Sequence, residues 1–428
     1  NPPAGFHNQD LHVYCDWDGA LDPREECSLF LFGADPYPEM VEGSSGTFYK
    51  GTQVFYVPMG LESWLPNQNN EQQNSSREIL RWGGYTPEPH TTCGGSIFNH
   101  DNVYFEHPIT KQKLLVVSYW GAGLRLVDVS DPPTVADPLG VSWPPEVGRW
   151  LGCPTADDGW YGPDGGGHAN MSPEEWLDSN QGNDNIHYAV PMDNLVCSGI
   201  SEIDPMETWP EKCGSGPDDA TFGINWRHFT YIAPEYGSNA NHTGYVWTID
   251  TTDPAKPFLV SKWRLPGEGT LQNGSSHPQH YIPGGYIFSP HNGDTGADGH
   301  VYWAHYHAGT WVTDHGKIWD EIEWENGHPE PDRGFQAIEN LAETHTIGYY
   351  LPAGPTWIED PAATLQYDLA DCWASCMIPF DWGLQYDPRG FIYISEMVSG
   401  VYVVQFDEDY DSRFDYPALW SAEAIEDE

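Results

Sequence analysis

The sequence predicts an all-β protein, specifically a β-propeller with long loop insertions. Its strongest segments are short runs of β-branched and aromatic residues that are bounded by Gly, Pro or Asp. The 45 Gly and 37 Pro interrupt nearly every window in which a helical stripe of apolar residues could form. A pattern of strand, glycine turn and strand also recurs along the chain, which is typical of a repeated structural unit.

Six segments are predicted as strands and two as short helices. The helices are expected at residues 172–177, where Ser-Pro-Glu-Glu supplies an N-cap and an N1 proline, and near residues 333–341. Two strand-like runs nearer the N-terminus, Leu29–Phe32 and Val54–Val57, predict one or two blades there. The six predicted strands are Leu114–Tyr119, Leu124–Val129, Tyr245–Ile249, Val301–His305, Phe391–Ser395 and Val401–Phe406.

Three regions align as repeats of one hairpin. They are Val117–Asp128, Trp303–Asp314 and Ile394–Gln405, and each has a strand, a small residue with a glycine, and a second strand. A fourth copy, Gly244–Asp250, keeps the second half and leads to Asp-Pro, as Asp128 does. A repeated hairpin cannot bury both of its faces alone, so the repeats are expected to stack radially as propeller blades.

These residues also carry a family resemblance. Leu124–Pro132 (LRLVDVSDP) resembles the LVIVD repeat of secreted bacterial and archaeal β-propellers. Phe288–Asn292 with Val301–Gly309 is similar to the penultimate blades of that family, and Gly390–Val404 is similar to its closing blade. The resemblance covers residues 93–135 and 220–406. It implies a propeller of seven blades that is usually exported, and it implies no settled biochemical activity.

The predicted organisation is a single β-propeller domain over residues 1–428. Residues 136–219 are rich in Trp, Gly and Asp and depart from the repeat, so they are predicted to form a long-loop insertion. Residues 407–428 are predicted to be an acidic C-terminal tail.

The charge excludes several classes of partner. The chain has 64 Asp and Glu against 17 Lys and Arg, a formal net charge of −47. Nucleic acid would be repelled, and binding to an anionic membrane surface is not expected. The simplest interpretation is adaptation to strong brine, where the Debye length is about 3 Å at 1 M salt. A calcium-loaded extracellular protein and a secreted protein of an acidophile remain alternatives.

Several features predict an extracellular or cell-surface location after signal-peptide removal. There is no run of 18 apolar residues that would span a membrane, and the first residues read like a mature N-terminus. The even number of cysteines predicts disulfides in an oxidising compartment. Proximity suggests Cys15 with Cys27, Cys197 with Cys213 and Cys372 with Cys376, which leaves Cys93 and Cys153, but the connectivity stays open. Glycosylation sequons begin at Asn74, Asn170, Asn241 and Asn273.

A histidine cluster is the candidate transition-metal site. An imidazole set suits copper or zinc, and His-x-His on a strand puts two imidazoles on one face. The alternative is that these side chains are structural and bond to backbone groups. The predicted ligands are His277, His280, His291, His305 and His307.

Two acidic loops are candidate calcium sites. Alternating carboxylates next to a turn could bind a hard cation, although neither loop satisfies the EF-hand pattern, and a solvated acidic surface is the alternative. Nucleotide cofactors are not expected because Walker A and GxGxxG motifs are absent, and haem is not expected because CxxCH is absent. The candidate ligands are Asp16, Asp18, Asp22, Asp407, Asp409 and Asp411.

These features favour a structural or interaction protein that binds protein partners or assembles with itself, with bridging cations. No Gly-x-Ser-x-Gly elbow supports nucleophilic catalysis. Two alternatives stay open. One is an extracellular metalloenzyme, an oxidoreductase or lyase, with a histidine-bound metal in the propeller channel. The other is a carbohydrate-binding propeller that uses tryptophans of residues 143–176.

Overall fold

The described part of the chain is all-β and consists of antiparallel sheets. No helix occurs within it, and both predicted helices, 172–177 and 333–341, lie outside it. Contact clustering divides the chain into two compact units, residues 1–159 and 160–428. The computed structural model describes residues 8–15, 27–34, 52–57, 80–85, 99–120, 122–130, 144–150, 186–192, 196–197, 226–234, 246–263, 290–296, 300–306, 309–314, 324–325, 328–329, 346–350, 380–397 and 400–406.

The first unit contains two four-stranded meanders. Sheet 1 consists of β1 (Asn8–Cys15), β2 (Cys27–Ala34), β3 (Thr52–Val57) and β4 (Leu80–Tyr85). Sheet 2 consists of β5 (Asp101–Glu106), β6 (Lys113–Ser118), β7 (Leu124–Asp128) and β8 (Glu146–Trp150). The first strands of the two sheets, β1 and β5, lie next to each other.

The described residues of the second unit form three larger sheets and two short strand pairs. Sheet 3 consists of β9 (Ile186–Pro191) and three later strands. A short pair, β10 (Val196–Cys197) with β11 (Trp226–Arg227), lies in sequence between β9 and those later strands. The later strands are β12 (Phe229–Pro234), β13 (Val246–Asp250) and β14 (Phe258–Trp263).

Sheet 4 consists of β15 (Gly293–Thr295), β16 (His300–Ala304), β17 (Thr310–Asp314) and β20 (Thr346–Tyr350), with the short pair β18 (Trp324–Glu325) and β19 (His328–Pro329) inserted before the last strand. Sheet 5 has three strands, β21 (Asp381–Asp387), β22 (Phe391–Glu396) and β23 (Gly400–Gln405). The first strand of sheet 4, β15, lies beside both other first strands of this unit, β9 and β21.

The strand predictions are confirmed, with bounds that shift by at most one residue. The two N-terminal runs are also strands, and they pair with each other in sheet 1. Residues 136–219, predicted as a long-loop insertion, include β8, β9 and β10, and most of this range lies outside the described residues. These strands were missed because their surroundings are rich in Gly, Pro and Asp and the strands themselves are short.

The sheets pack through alternating apolar side chains. In the first unit one core cluster joins Phe30, Phe32 and Val54 of sheet 1 to Leu115 and Val117 of sheet 2. In the second unit another cluster joins sheets 4 and 5; its buried members are Tyr302, Val312, Ile392 and Ile394. Both clusters follow the period of two that puts every second residue of a strand on one face.

Candidate functional site

The repeated hairpins share one strained turn. Trp120 follows β6 and Tyr306 follows β16, and both adopt positive φ, 31° and 42°. Three residues later Gly123 and Gly309 have φ of 76° and 78°, a region that glycine enters without steric cost. Each glycine N–H donates to the carbonyl of the aromatic residue, over 2.9 Å to Trp120 and 3.2 Å to Tyr306. The turn is therefore the same structural unit in sheets 2 and 4, as the sequence alignment predicts.

The ring of the turn residue contacts a histidine that lies just before the first strand. In sheet 2 His100 stacks with Trp120 at a centroid separation of 5.9 Å. In sheet 4 His291 lies edge-on to Tyr306 at 4.9 Å. Both histidines are buried. The repeat thus brings one imidazole and one aromatic ring together at the same end of each sheet.

In the second unit these rings continue from sheet to sheet. The imidazoles of His187 and His291 have centroids 4.0 Å apart, and His291 lies 4.2 Å from Trp382. Tyr306 then contacts Trp382 at 5.8 Å and Phe380 at 5.4 Å. These five residues, here called the ring row, come from the beginnings of β9, β15 and β21 and from the turn after β16. The five residues line up because β15 lies beside both β9 and β21.

Two buried carboxyl groups lie beside the ring row. Asp381 and Glu396 are cross-strand partners in β21 and β22, and both are buried. The Thr310 hydroxyl donates to Asp381 Oδ2 over 2.7 Å, and the Asp381 N–H donates to the carbonyl of Tyr306 over 3.0 Å. Sheet 4 therefore fixes the position of Asp381 through both its side chain and its backbone.

Burial dominates the electrostatics of this pair. Desolvation raises the pKa of Asp381 to about 7, the Thr310 hydrogen bond opposes the rise, and the Glu396 charge adds to it. Burial also raises the pKa of Tyr350, to which Tyr402 and Asp381 contribute. A carboxyl group with a pKa near neutrality exists in both protonation states around pH 7.

The ring row reaches the surface at Trp382, and Met397 is a second exposed apolar residue near it in the sheet. Trp382 is 38% exposed and Met397 is 52% exposed. The Met397 N–H donates to the carbonyl of Phe380 over 3.1 Å, so Met397, in the turn after β22, lies beside the residue two positions before Trp382. We call these two exposed apolar residues the Trp–Met patch. Trp382 is supported by the rings of His291 and Tyr306.

The predicted histidine cluster is only partly described. His291 belongs to the ring row, whereas His305 packs edge-on against Trp263 at 5.3 Å. His277, His280 and His307 lie outside the described residues. Among the residues that are described, no group of three or more His, Cys, Asp or Glu side chains is placed to hold a metal ion.

Other histidines have structural roles. Nδ1 of His107 accepts hydrogen bonds from the N–H groups of Ile109 and Thr110, at 3.3 and 3.0 Å, and so holds the turn between β5 and β6. His228 contacts the Thr251 hydroxyl and the Met192 carbonyl, each at 2.8 Å. These two imidazoles, which were not among the predicted ligands, therefore hold backbone and side-chain groups in place.

The remaining predicted site residues mostly lie outside the described residues. This applies to both acidic loops and to all four sequons. The exception concerns the cysteines, because the register of β1 and β2 puts Cys15 directly opposite Cys27. Outside the described residues are Asp16, Asp18, Asp22, Asp407, Asp409, Asp411, Asn74, Asn170, Asn241, Asn273, Cys93, Cys153, Cys213, Cys372 and Cys376.

A buried cation organises the first unit. Arg125 on β7 is fully buried; its Nε donates to the Ala122 carbonyl over 2.8 Å and its Nη1 donates to Glu146 over 3.1 Å. Tyr85 on β4 also donates its hydroxyl to Glu146. This network links sheet 1 to sheet 2 through a single carboxylate. In a chain with so few cations, a fully buried arginine marks a structural centre.

Sequence reasoning missed most of the ring row and the acid pair. His187, Trp382 and Glu396 were not singled out, because one buried acid among 64 carries no sequence signal. The hairpin repeat carries no signal for the pair either. Its alignment puts Ser118 at the position of Ser395, and the partners of these two residues are Asp101 in sheet 2 and Gly383 in sheet 5.

Comparison with known proteins leaves the chain without an assigned relative: no family model matches it, and no curated protein matches it. The described residues include no helix with the length and apolar character required to cross a bilayer.

Proposed function

We propose that the chain is a secreted or cell-surface β-propeller of seven blades that acts as a structural and interaction protein and associates with copies of itself. The repeated four-stranded meanders, the shared turn and the side-by-side first strands within each unit support the propeller. Radial packing buries both faces of such sheets. The LVIVD-like residues of β7, and the Asp-Pro that follows them, support the same architecture.

The observation that carries the interaction proposal is the Trp–Met patch. Trp and Met are enriched at protein interfaces, and tryptophan is over-represented among residues that dominate binding energy. Trp382 is held by contacts with His291 and Tyr306. A side chain that is already ordered loses less conformational entropy when a partner binds.

Self-association must overcome a net charge of −47 on each copy. At molar salt this repulsion acts over only about 3 Å, so contacts through uncharged residues become favourable. Calcium would act as a bridging cation between carboxylates of neighbouring copies, because it prefers oxygen ligands. We therefore expect association in brine and dissociation at low salt.

Sedimentation velocity over a concentration series tests this proposal. The protein is measured in 3 M KCl with and without calcium chloride, and again in 0.1 M KCl. The double variant Trp382→Ser/Met397→Ser is compared with the matched control Leu11→Ser/Val13→Ser, which removes two exposed apolar side chains of β1. We expect association of the natural sequence and of the control in brine, and a dissociation constant at least tenfold weaker for the Trp–Met variant.

Two outcomes would overturn the proposal. If the natural sequence sediments as a monomer in all three salt conditions, the proposal of self-association is wrong. Equal association of the natural sequence and the Trp–Met variant would place the contact elsewhere. Metal analysis of the same samples addresses the metalloenzyme alternative: copper or zinc at one ion per chain, together with loss of an activity on chelation, would favour it.

A further inference from the structure

Among the described residues, sheet 5 has one strand fewer than the other large sheets. Gly400, with φ of 114°, immediately precedes the body of β23, just as Gly123 and Gly309 precede β7 and β17. β23 therefore corresponds to the third strand of sheets 2 and 4. The strand that sheet 5 lacks among the described residues is the fourth, which would follow β23 in sequence.

The third and fourth strands of the other sheets pair in one shared register. The first residue of the third strand always lies opposite an aromatic residue that ends the fourth strand. A one-residue bulge follows at the same place in each pair, after the third residue of the third strand. The aromatic pairs are Thr52 with Tyr85, Leu124 with Trp150, Val246 with Trp263, and Thr310 with Tyr350.

A small residue also recurs, two positions before that aromatic residue. Its neighbour on the N-terminal side is the bulged residue, which has no partner in the register. In sheet 4 the reason for the small residue is visible, because a Cβ on Gly348 would lie 2.7 Å from the ring of Phe406. The four small residues are Gly83, Gly148, Ser261 and Gly348.

We propose that residues 416–420 (Tyr-Pro-Ala-Leu-Trp) pair antiparallel with β23 as the fourth strand of sheet 5, with Trp420 opposite Val401. Ala418 then occupies the small position, and Pro417 occupies the bulge. Proline is tolerated within sheets at edges and bulges, because it cannot donate a ladder hydrogen bond. The aromatic, small and bulged positions of the register are thus filled by Trp420, Ala418 and Pro417.

The connection that this pairing requires has a length found in the other sheets. It would span residues 406–415, compared with 251–257 before β14 and 129–145 before β8. The other aromatic residue with a small residue two positions earlier is Phe414, after Ser412. It would leave only residues 406–409 for the connection, which is shorter than the distance along the chain between the third and fourth strands of sheets 1 to 4.

The surface of β23 also calls for a covering strand. Val401 is 67% exposed and Val403 is 53% exposed, whereas the equivalent Leu124 and Leu126 of β7 are fully buried. Residues 400–406 carry no charge, and an open, uncharged, β-branched edge invites pairing with another strand. Directly opposite residues share a face of the sheet, so the Trp420 indole would lie against Val401.

Hydrogen exchange of the full chain tests the pairing. We compare peptides that cover residues 400–406 in the natural sequence, in Trp420→Ala, in the conservative variant Trp420→Phe and in the control Phe414→Ala. We expect slow exchange in the natural sequence, exchange about tenfold faster in Trp420→Ala, and values close to the natural sequence in the other two.

A cysteine cross-linking experiment tests the same strand pairing and does not depend on the stability of the variants. Val401→Cys combined with Trp420→Cys is expected to give a linked peptide pair, whereas Val401→Cys with Tyr410→Cys is not. Rapid exchange of residues 400–406 in the natural sequence, or equal cross-linking of both pairs, would overturn the proposal. Slow hydrogen exchange of residues 400–406 that is lost when the protein is diluted would also overturn the proposal. The covering strand would then come from a second copy of the chain.

Discussion

Asp381 and Glu396 lie directly opposite each other on β21 and β22, and both carboxyl side chains are buried. Burial, with a contribution from the Glu396 charge, raises the pKa of Asp381 to about 7, and the Thr310 hydroxyl donates to Asp381 over 2.7 Å.

The stability of the second unit should depend on the protonation of Asp381. Burial raises its pKa from 3.8 to about 7 in the folded chain, so the folded state keeps a proton that the unfolded state has released. The contribution of this group to the unfolding free energy therefore falls as the pH rises from about 4 to about 7, and it is level above that range. Asp381→Asn should remove this dependence and be more stable than the natural sequence at pH 8, by about 2–4 kcal/mol.

Denaturant unfolding at pH 5 and pH 8, at constant salt, measures this difference. The control Glu106→Gln removes one exposed carboxylate. It should shift stability by less than about 0.5 kcal/mol at either pH. If Asp381→Asn follows the pH profile of the natural sequence, the buried proton is not at this position.

The repeat made the all-β class and the strands that flank its turn predictable, whereas the burial of individual polar groups could not be predicted from it. Gly123 and Gly309 mark the turn in the sequence because only glycine enters its φ region freely, so the flanking strands could be located to within one residue. Trp382 and Glu396 look like ordinary members of a chain rich in tryptophan and acid. Their roles follow from the contact of β15 with β21, a tertiary relationship that single-strand patterns do not carry.

Arg125 and Arg149 should differ sharply in their effect on stability, although both contact Glu146. The Arg125 side chain is fully buried and the Arg149 side chain is 28% exposed. Arg125→Met should cost about 3 kcal/mol of unfolding free energy, because Glu146 and Tyr85 lose their buried cation. Arg149→Met should cost less than about 1 kcal/mol, as partly exposed ion pairs do. Equal losses, measured by denaturant unfolding, would contradict the central role of Arg125.

Gly293 should be the least replaceable of the strand glycines described in sheets 4 and 5. A Cβ at this position would lie 2.5 Å from the Trp303 ring and 2.7 Å from the Tyr302 carbonyl oxygen. Gly293→Ala should therefore cost about 1–3 kcal/mol by overpacking. Gly383→Ala is the matched control, since its Cβ would meet Asn292 at an ordinary 3.4 Å. Thermal unfolding of the two variants should separate them, and similar midpoints would count against the packing described around Trp303.

Cys15 and Cys27 should form a disulfide. Directly opposite residues of an antiparallel pair have Cα atoms about 4.5–5.5 Å apart, a separation that a disulfide can bridge. Peptide mapping without reduction should recover the two cysteines in one linked pair, and replacing both with Ser should lower the unfolding free energy by about 3 kcal/mol. Recovery of Cys15 linked to any other cysteine would show that the register of β1 and β2 does not guide the pairing.

The central claim is that the repeated meanders are blades of a propeller that bears the Trp–Met patch at one end of its first strands. A crystal structure of the full chain grown from molar salt tests it most directly. We predict seven sheets around one axis, with β9, β15 and β21 innermost and Trp382 exposed at one rim. Sheets that do not surround a common axis, or a Trp382 side chain buried inside the monomer, would contradict the account.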